Sequence, residues 1–130
     1  YLGLSANGSH LTKYHLEAGI AYWHTHKEDT PEKWMQILQL YNNLLITEYS
    51  PIVALNRTFA LSKVYRKAAA IVEAEKLKLT GNHFYHSLLG NLYTDIDDAI
   101  ALQHYKQALV LASSNADKTI ISRHIQELGG

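Results

Sequence analysis

Ile52, Leu55, Asn56 and Phe59 are each followed thirty-four positions later by His86, Leu89, Gly90 and Tyr93, so a large–large–small–large pattern returns at a fixed distance. A period of this length constrains a fold strongly, because each copy is one supersecondary unit that can bury its apolar face only against its neighbours. In a helix pair the small residue permits close approach and the aromatic fills the space beside it. The pattern continues through Ala68 and Val72 in one copy and Ala101, Tyr105 and Ala108 in the next, with one residue fewer in the inner turn. Thirty-four residues is the tetratricopeptide period.

Local punctuation agrees with helices of repeat length. Thr30-Pro31 and Ser50-Pro51 each place a cap oxygen before a proline at the first helical position, where the missing N–H costs nothing. Thr80-Gly81-Asn82 combines a left-handed stop at Gly81 with a new cap. Asp95 with Asp98, and Ser114-Asn115, mark two further starts, and Gly129-Gly130 closes the chain. Apolar residues between these marks recur every three or four positions, as in Ile37, Leu40, Leu44 and Leu45, and no stretch alternates as a strand does. The prediction is an all-α, tetratricopeptide-like stack of helical hairpins with about seven helices, over 10–26, 31–48, 51–64, 67–79, 83–94, 97–113 and 116–128. These form three hairpins and a final helix with a polar outer face at Lys118, Ser122, Arg123, Gln126 and Glu127. Residues 1–9, "YLGLSANGS", are expected to be the remnant of an upstream segment and 10–130 the repeat domain. A first residue of Tyr1 and not Met suggests a piece of something longer, with apolar Tyr1, Leu2 and Leu4 leading into the first hairpin.

Composition narrows the function classes. Twelve basic and twelve acidic side chains cancel, and a nucleic-acid-binding surface generally shows a basic excess. The absence of cysteine removes disulfides and thiolate metal sites and fits a reducing compartment. No apolar run reaches the length of a membrane span, so neither a membrane nor nucleic acid is expected as a partner and the cytoplasm is the expected location.

Eight histidines invite a search for a metal site. His24 and His26 with Glu28 and Asp29 offer imidazole and carboxylate donors, but the same residues suit a helix C-terminus followed by a polar turn. His83 and His86 lie one turn apart, and His86 falls on a core position of the period, which suits a packed, hydrogen-bonded histidine. No nucleophile elbow or phosphate-cradling loop occurs, and Asp95, Asp97 and Asp98 fit helix-start chemistry. No enzyme activity and no cofactor are expected. Asn56-Arg57, inside an apolar run, is the candidate partner contact; the competing interpretation is Asn56 in a close helix crossing and Arg57 paired within the scaffold. The tyrosines fall at spacings that serve a core or an interface, and Trp23 and Trp34 flank one turn where they could pack together.

The segments "KYHLEAGIAYWHT", "ILQLYNNLL", "SPIVALNRTFAL" and "FYHSLLGNLYTDIDDAIALQHYKQAL" resemble the C-terminal tetratricopeptide-like extension of bacterial extracytoplasmic-function RNA polymerase sigma factors. Tyr14, Leu16, Ala18, Ile20, Ala21 and His24 match one motif of that family, with Gly19 in place of an alanine. Ser50, Pro51, Val53, Ala54, Leu55, Asn56 and Arg57 match a second, while Thr58 and Phe59 depart. The resemblance implies a regulatory protein-interaction domain whose partners are proteins: the sigma core of the same chain, RNA polymerase or a signalling regulator. Within that expectation, the polar outer face of 116–128 contrasts with the apolar Tyr1, Leu2 and Leu4 ahead of the first hairpin, and this asymmetry suggests docking on the sigma core through that hairpin. The alternative is a free-standing tetratricopeptide adaptor that binds a peptide, and a metal-dependent enzyme around His24 and His26 stands behind both.

Overall fold

The computed structural model describes the backbone from Leu2 to Gly130 and the side chains from Thr12 onward. Among the described residues there are seven helices and no strand: α1 (Leu2–His24), α2 (Pro31–Thr47), α3 (Pro51–Val64), α4 (Lys67–Leu77), α5 (His83–Tyr93), α6 (Asp98–Leu111) and α7 (Asn115–Glu127). The protein is all-α; α2, α3, α5 and α7 start at the predicted caps, whereas α6 is capped by Asp97 and not by Asp95. Thr30 Oγ1 accepts from Lys33 N–H at 3.1 Å and Ser50 Oγ from Val53 N–H at 3.4 Å, each with proline next in sequence. Asn82, Asp97 and Ser114 cap α5, α6 and α7 in the same way. The chain divides into two compact units, 1–66 and 67–130, with the boundary between the two helices predicted as the middle hairpin.

Two local expectations are corrected. The first helix does not start at residue 10 but runs from Leu2, so 2–9 is helical backbone; Tyr1 and the side chains of Leu2 and Leu4 lie outside the described residues. Gly3 and Gly8 cost about 1 kcal/mol each against alanine, but without a proline every residue keeps its N–H and the helix propagates through them. The left-handed stop after α4 is Lys78, at φ 51°, and not Gly81, because the helix already ends at Leu77. At the end of α7, Gly129 takes φ 82°; its N–H bonds Gln126 O while Gly130 N–H bonds Ile125 O, a Schellman closure.

In the first unit α2 packs on α1 and on α3. Ile20, Trp34, Ile37, Leu38, Leu44, Ala54, Leu55 and Leu61 are buried. Trp34 meets Phe59 edge-on, with ring centroids 5.6 Å apart, and Trp23 lies instead against Tyr22 and His26 of its own helix end. In the second unit α5 packs on α4 and, far more extensively, on α6, which in turn carries α7. Its interior holds Ala70, Ile71, Ala74, Tyr85, Leu89, Leu92, Ala101, Tyr105, Ala108, Ile121 and Ile125. Each large aliphatic buried there contributes about 1.5–3 kcal/mol over its exposed state.

The thirty-four-residue period is visible in burial, in a register that differs in part from the sequence assignment. Leu55/Leu89, Thr58/Leu92, Ile71/Tyr105 and Ala74/Ala108 are buried pairs at that spacing. Ala68 and Val72, predicted on the inward face, are exposed, and Ala70, Ile71 and Ala74 take that place. Gly90 is buried beneath Tyr105 as the small-residue rule requires, whereas its counterpart Asn56 is exposed.

Candidate functional site

Asn56 and Arg57 point in different directions. Arg57 Nε donates to Asn42 Oδ1 of α2, so the guanidinium is paired within the scaffold and joins α3 to α2 through an amide oxygen. Asn56 is exposed, which removes it from the close helix crossing proposed for it. One turn before it, Ile52 is 43% exposed, and further along the same face lie half-buried Phe59 and exposed Lys63. Lys63 Nζ sits 5.3 Å from the Phe59 ring centroid and 5.8 Å from that of Trp34. This face of α3 therefore offers an aliphatic side chain, an amide, an aromatic edge and a cation over three turns. Beneath it the buried indole N–H of Trp34 has no hydrogen-bond acceptor among the described residues.

The residues around His24 and His26 separate. The His24 ring meets Trp34 edge-on at 5.9 Å, while His26 Nδ1 lies 3.3 Å from the Tyr22 carbonyl. Asp29 lies 3.5 Å from Nζ of buried Lys33, which also donates to His26 O at 2.7 Å. These pairings hold the α1–α2 turn in shape. Among the described residues no group of three or more His, Asp or Glu comes together as a metal site would need.

A polar cluster in the second unit joins α4, α5 and α6. His86, on α5, is 7% exposed; its Nε2 stands 2.7 Å from the Thr80 carbonyl and its Nδ1 3.1 Å from Nδ1 of His104, on α6. A carbonyl can only accept, so His86 Nε2 carries the proton and donates. Its Nδ1 is then the acceptor in the neutral ring, and His104 Nδ1–H must donate to it. Tyr93 stacks on His104, with centroids 5.8 Å apart and planes 13° apart, and its hydroxyl donates to Glu75 Oε2 at 2.8 Å. Burial, followed by the Glu75 hydrogen bond, pushes the Tyr93 phenol up to about 12. Burial, followed by the neighbouring His86, pulls His104 below the ordinary imidazole value, and Glu75 opposes that shift. His83 is not part of this cluster; its Nε2 lies 3.4 Å from Asp117 Oδ2, within ion-pair distance of a protonated ring but not aligned as a hydrogen bond.

The packed, hydrogen-bonded state expected for His86 is thus what the structure shows, while His104, Tyr93 and Glu75 were not legible as its companions. The period did not reveal His104, because its counterpart thirty-four positions earlier, Ala70, was not among the residues assigned inward from sequence and is fully buried in the structure.

No protein-family model matches the chain, and no solved structure matches it. Among curated proteins, an uncharacterized protein of Rhizobium meliloti (strain 1021) is 33% identical over 120 residues, which is 88% of this chain and 28% of that protein. The chain therefore spans less than a third of the length of the curated relative it matches.

Proposed function

We propose that this chain is the regulatory protein-interaction domain of a sigma-factor-like transcription regulator, acting through contacts with the sigma core, RNA polymerase or a signalling partner. The observation that carries the interaction role is the face of α3, where exposed Ile52 and Asn56 continue into Phe59 and Lys63. Interfaces favour this mixture: an apolar anchor and an aromatic at the centre with polar groups around them. Asn56 is the primary contact in this proposal, and Arg57 supports it by fastening α3 to α2 through Asn42. The four sequence segments that resemble the tails of extracytoplasmic-function sigma factors favour this parent over an unrelated adaptor.

The test compares transcription from a cognate promoter by the full-length regulator, intact or truncated before Tyr1, at matched protein levels. Altered promoter output on truncation is the expected result. Equal output under every inducing condition removes the regulatory role and leaves the free-standing adaptor ahead. An Ile52→Asp/Asn56→Asp double variant reproduces the truncation phenotype if the α3 face is the contact.

A further inference from the structure

The His86–His104 contact holds a second property, independent of the partner surface on α3. The ring centroids are 5.3 Å apart and the Nδ1 atoms 3.1 Å apart. The centroid separation exceeds the nitrogen separation by nearly the width of an imidazole ring, so both nitrogens lie between the rings and face each other. Two ligands of one metal ion would instead converge on a point to the side. The geometry is that of one proton held between two nitrogens.

We propose that His86 and His104 form an acid-operated latch, in which the single proton between their Nδ1 atoms ties the turn before α5 to α6 and the uptake of two further protons parts them. The tie runs from the Thr80 carbonyl through both rings into α6, with His86 nine-tenths buried. A first added proton can settle on His104 Nε2 and leave the Nδ1–H···Nδ1 bond intact. A second must go to His86 Nδ1, where two N–H groups would point at each other and two cations would share a half-buried site.

The surroundings do little to relieve that repulsion. From α4, Glu75 is the anion that favours a charged His104, but its Oε2 already accepts the Tyr93 hydroxyl. From α5, Tyr85 meets His86 edge-on at 5.2 Å, Tyr93 stacks on His104, and the turn offers only the Thr80 carbonyl. Beyond α5, Asp97 acts on Tyr93. From α7, His124 stacks on Tyr105 and Glu127 acts on that tyrosine, while Asp117 lies near His83.

Two-bond proton–nitrogen correlation spectra of the chain test the latch directly. At about pH 8, well above the imidazole range, they should show His104 in the Nδ1–H tautomer, the less common one in solution, and His86 in the Nε2–H tautomer. Both rings in the Nε2–H form, titrating as independent imidazoles, would overturn the proposal. The second readout is urea unfolding from about pH 8 to about pH 5. The wild-type unfolding constant should rise below the ordinary imidazole value of 6.5, by up to about tenfold per pH unit for each proton the unfolded chain takes up in excess. His104→Asn keeps an N–H donor where Nδ1 stood but does not titrate, and its profile should be flatter. An unchanged wild-type slope in that variant also refutes the latch, and if the variant does not fold the tautomer spectra decide alone.

Discussion

Adding a single methyl group at Gly90 tests the packing logic of the second unit most sharply. A Cβ built there would stand 2.8 Å from both Cδ2 and Cε2 of Tyr105 and 2.9 Å from its Cγ. Carbon pairs sit comfortably at about 3.5–4.0 Å, so the ring must retreat by most of an ångström or the helices must part. Tyr105 has little room: it is 2% exposed, and His124 stacks on it at 4.9 Å with planes 9° apart. Overpacking of this kind costs about 1–3 kcal/mol, and the better helix propensity of alanine offsets about 1 kcal/mol. Gly90→Ala should therefore destabilise by up to about 2 kcal/mol. Gly19 supplies the control. A Cβ there would lie 3.2 Å from Leu40 Cδ1, the end of a half-buried and flexible side chain that can move aside. Gly19→Ala should stabilise by about 0.5–1 kcal/mol, most of the propensity gain. Urea unfolding followed by circular dichroism measures both. A Gly90→Ala protein more stable than wild type, or a shift of both variants in the same direction, would refute the claim that Tyr105 forces glycine at position 90.

Other consequences are accessible to simple assays. Lys78 holds φ 51° at the end of α4, a conformation costly for a side-chain-bearing residue, so Lys78→Gly should raise stability by up to about 1 kcal/mol in the same unfolding experiment. Ser50→Ala removes the acceptor for Val53 N–H at the start of α3 and should cost about 1 kcal/mol. Burial raises the phenols of Tyr41, Tyr85, Tyr93 and Tyr105, so ultraviolet titration should show late-ionising tyrosines among the nine. For Tyr93 the folded value of about 12 lies above the ordinary phenol value of 10.0, so its stabilisation is present below pH 10.0 and lost as pH rises toward 12; Tyr93→Phe removes that dependence. With zero net charge, residues 1–130 lack the counterion-release drive, and fluorescence anisotropy should detect no salt-dependent binding to duplex DNA.

Helix starts were legible because a cap is a local device. Ser or Thr before proline satisfies an orphan N–H three residues on, whatever the rest of the chain does, and α2 and α3 begin where those pairs stand. Helix ends were less legible, since several residues can adopt the closing conformation and the choice depends on where packing stops. Gly81 looked like the stop after α4, but Lys78 takes it. The start of α1 was hidden for a related reason. Ser5, Asn7 and Ser9 resemble cap residues, yet a cap side chain ends nothing when the backbone upstream can stay helical.

Asn56 and Gly90 show what a repeat period does and does not specify. They occupy one register position, and the period correctly places Leu55 and Leu89 beside them in the interior. Whether the position itself is covered depends on the next helix. In the second unit α6 brings Tyr105 over Gly90, which only glycine permits at that distance. Within the first unit α3 packs on α2, and Asn56 faces away from that contact. A buried amide there would have needed a partner, and an exposed one does not. The same dependence on a neighbour hid the histidine latch: His86 and His104 are eighteen residues apart on different helices, and only the α5–α6 packing brings their Nδ1 atoms together. A periodic sequence thus fixes which positions can face a neighbour. The chemistry at each depends on what that neighbour presents, so the His86–His104 contact joins two residues that no local motif connects.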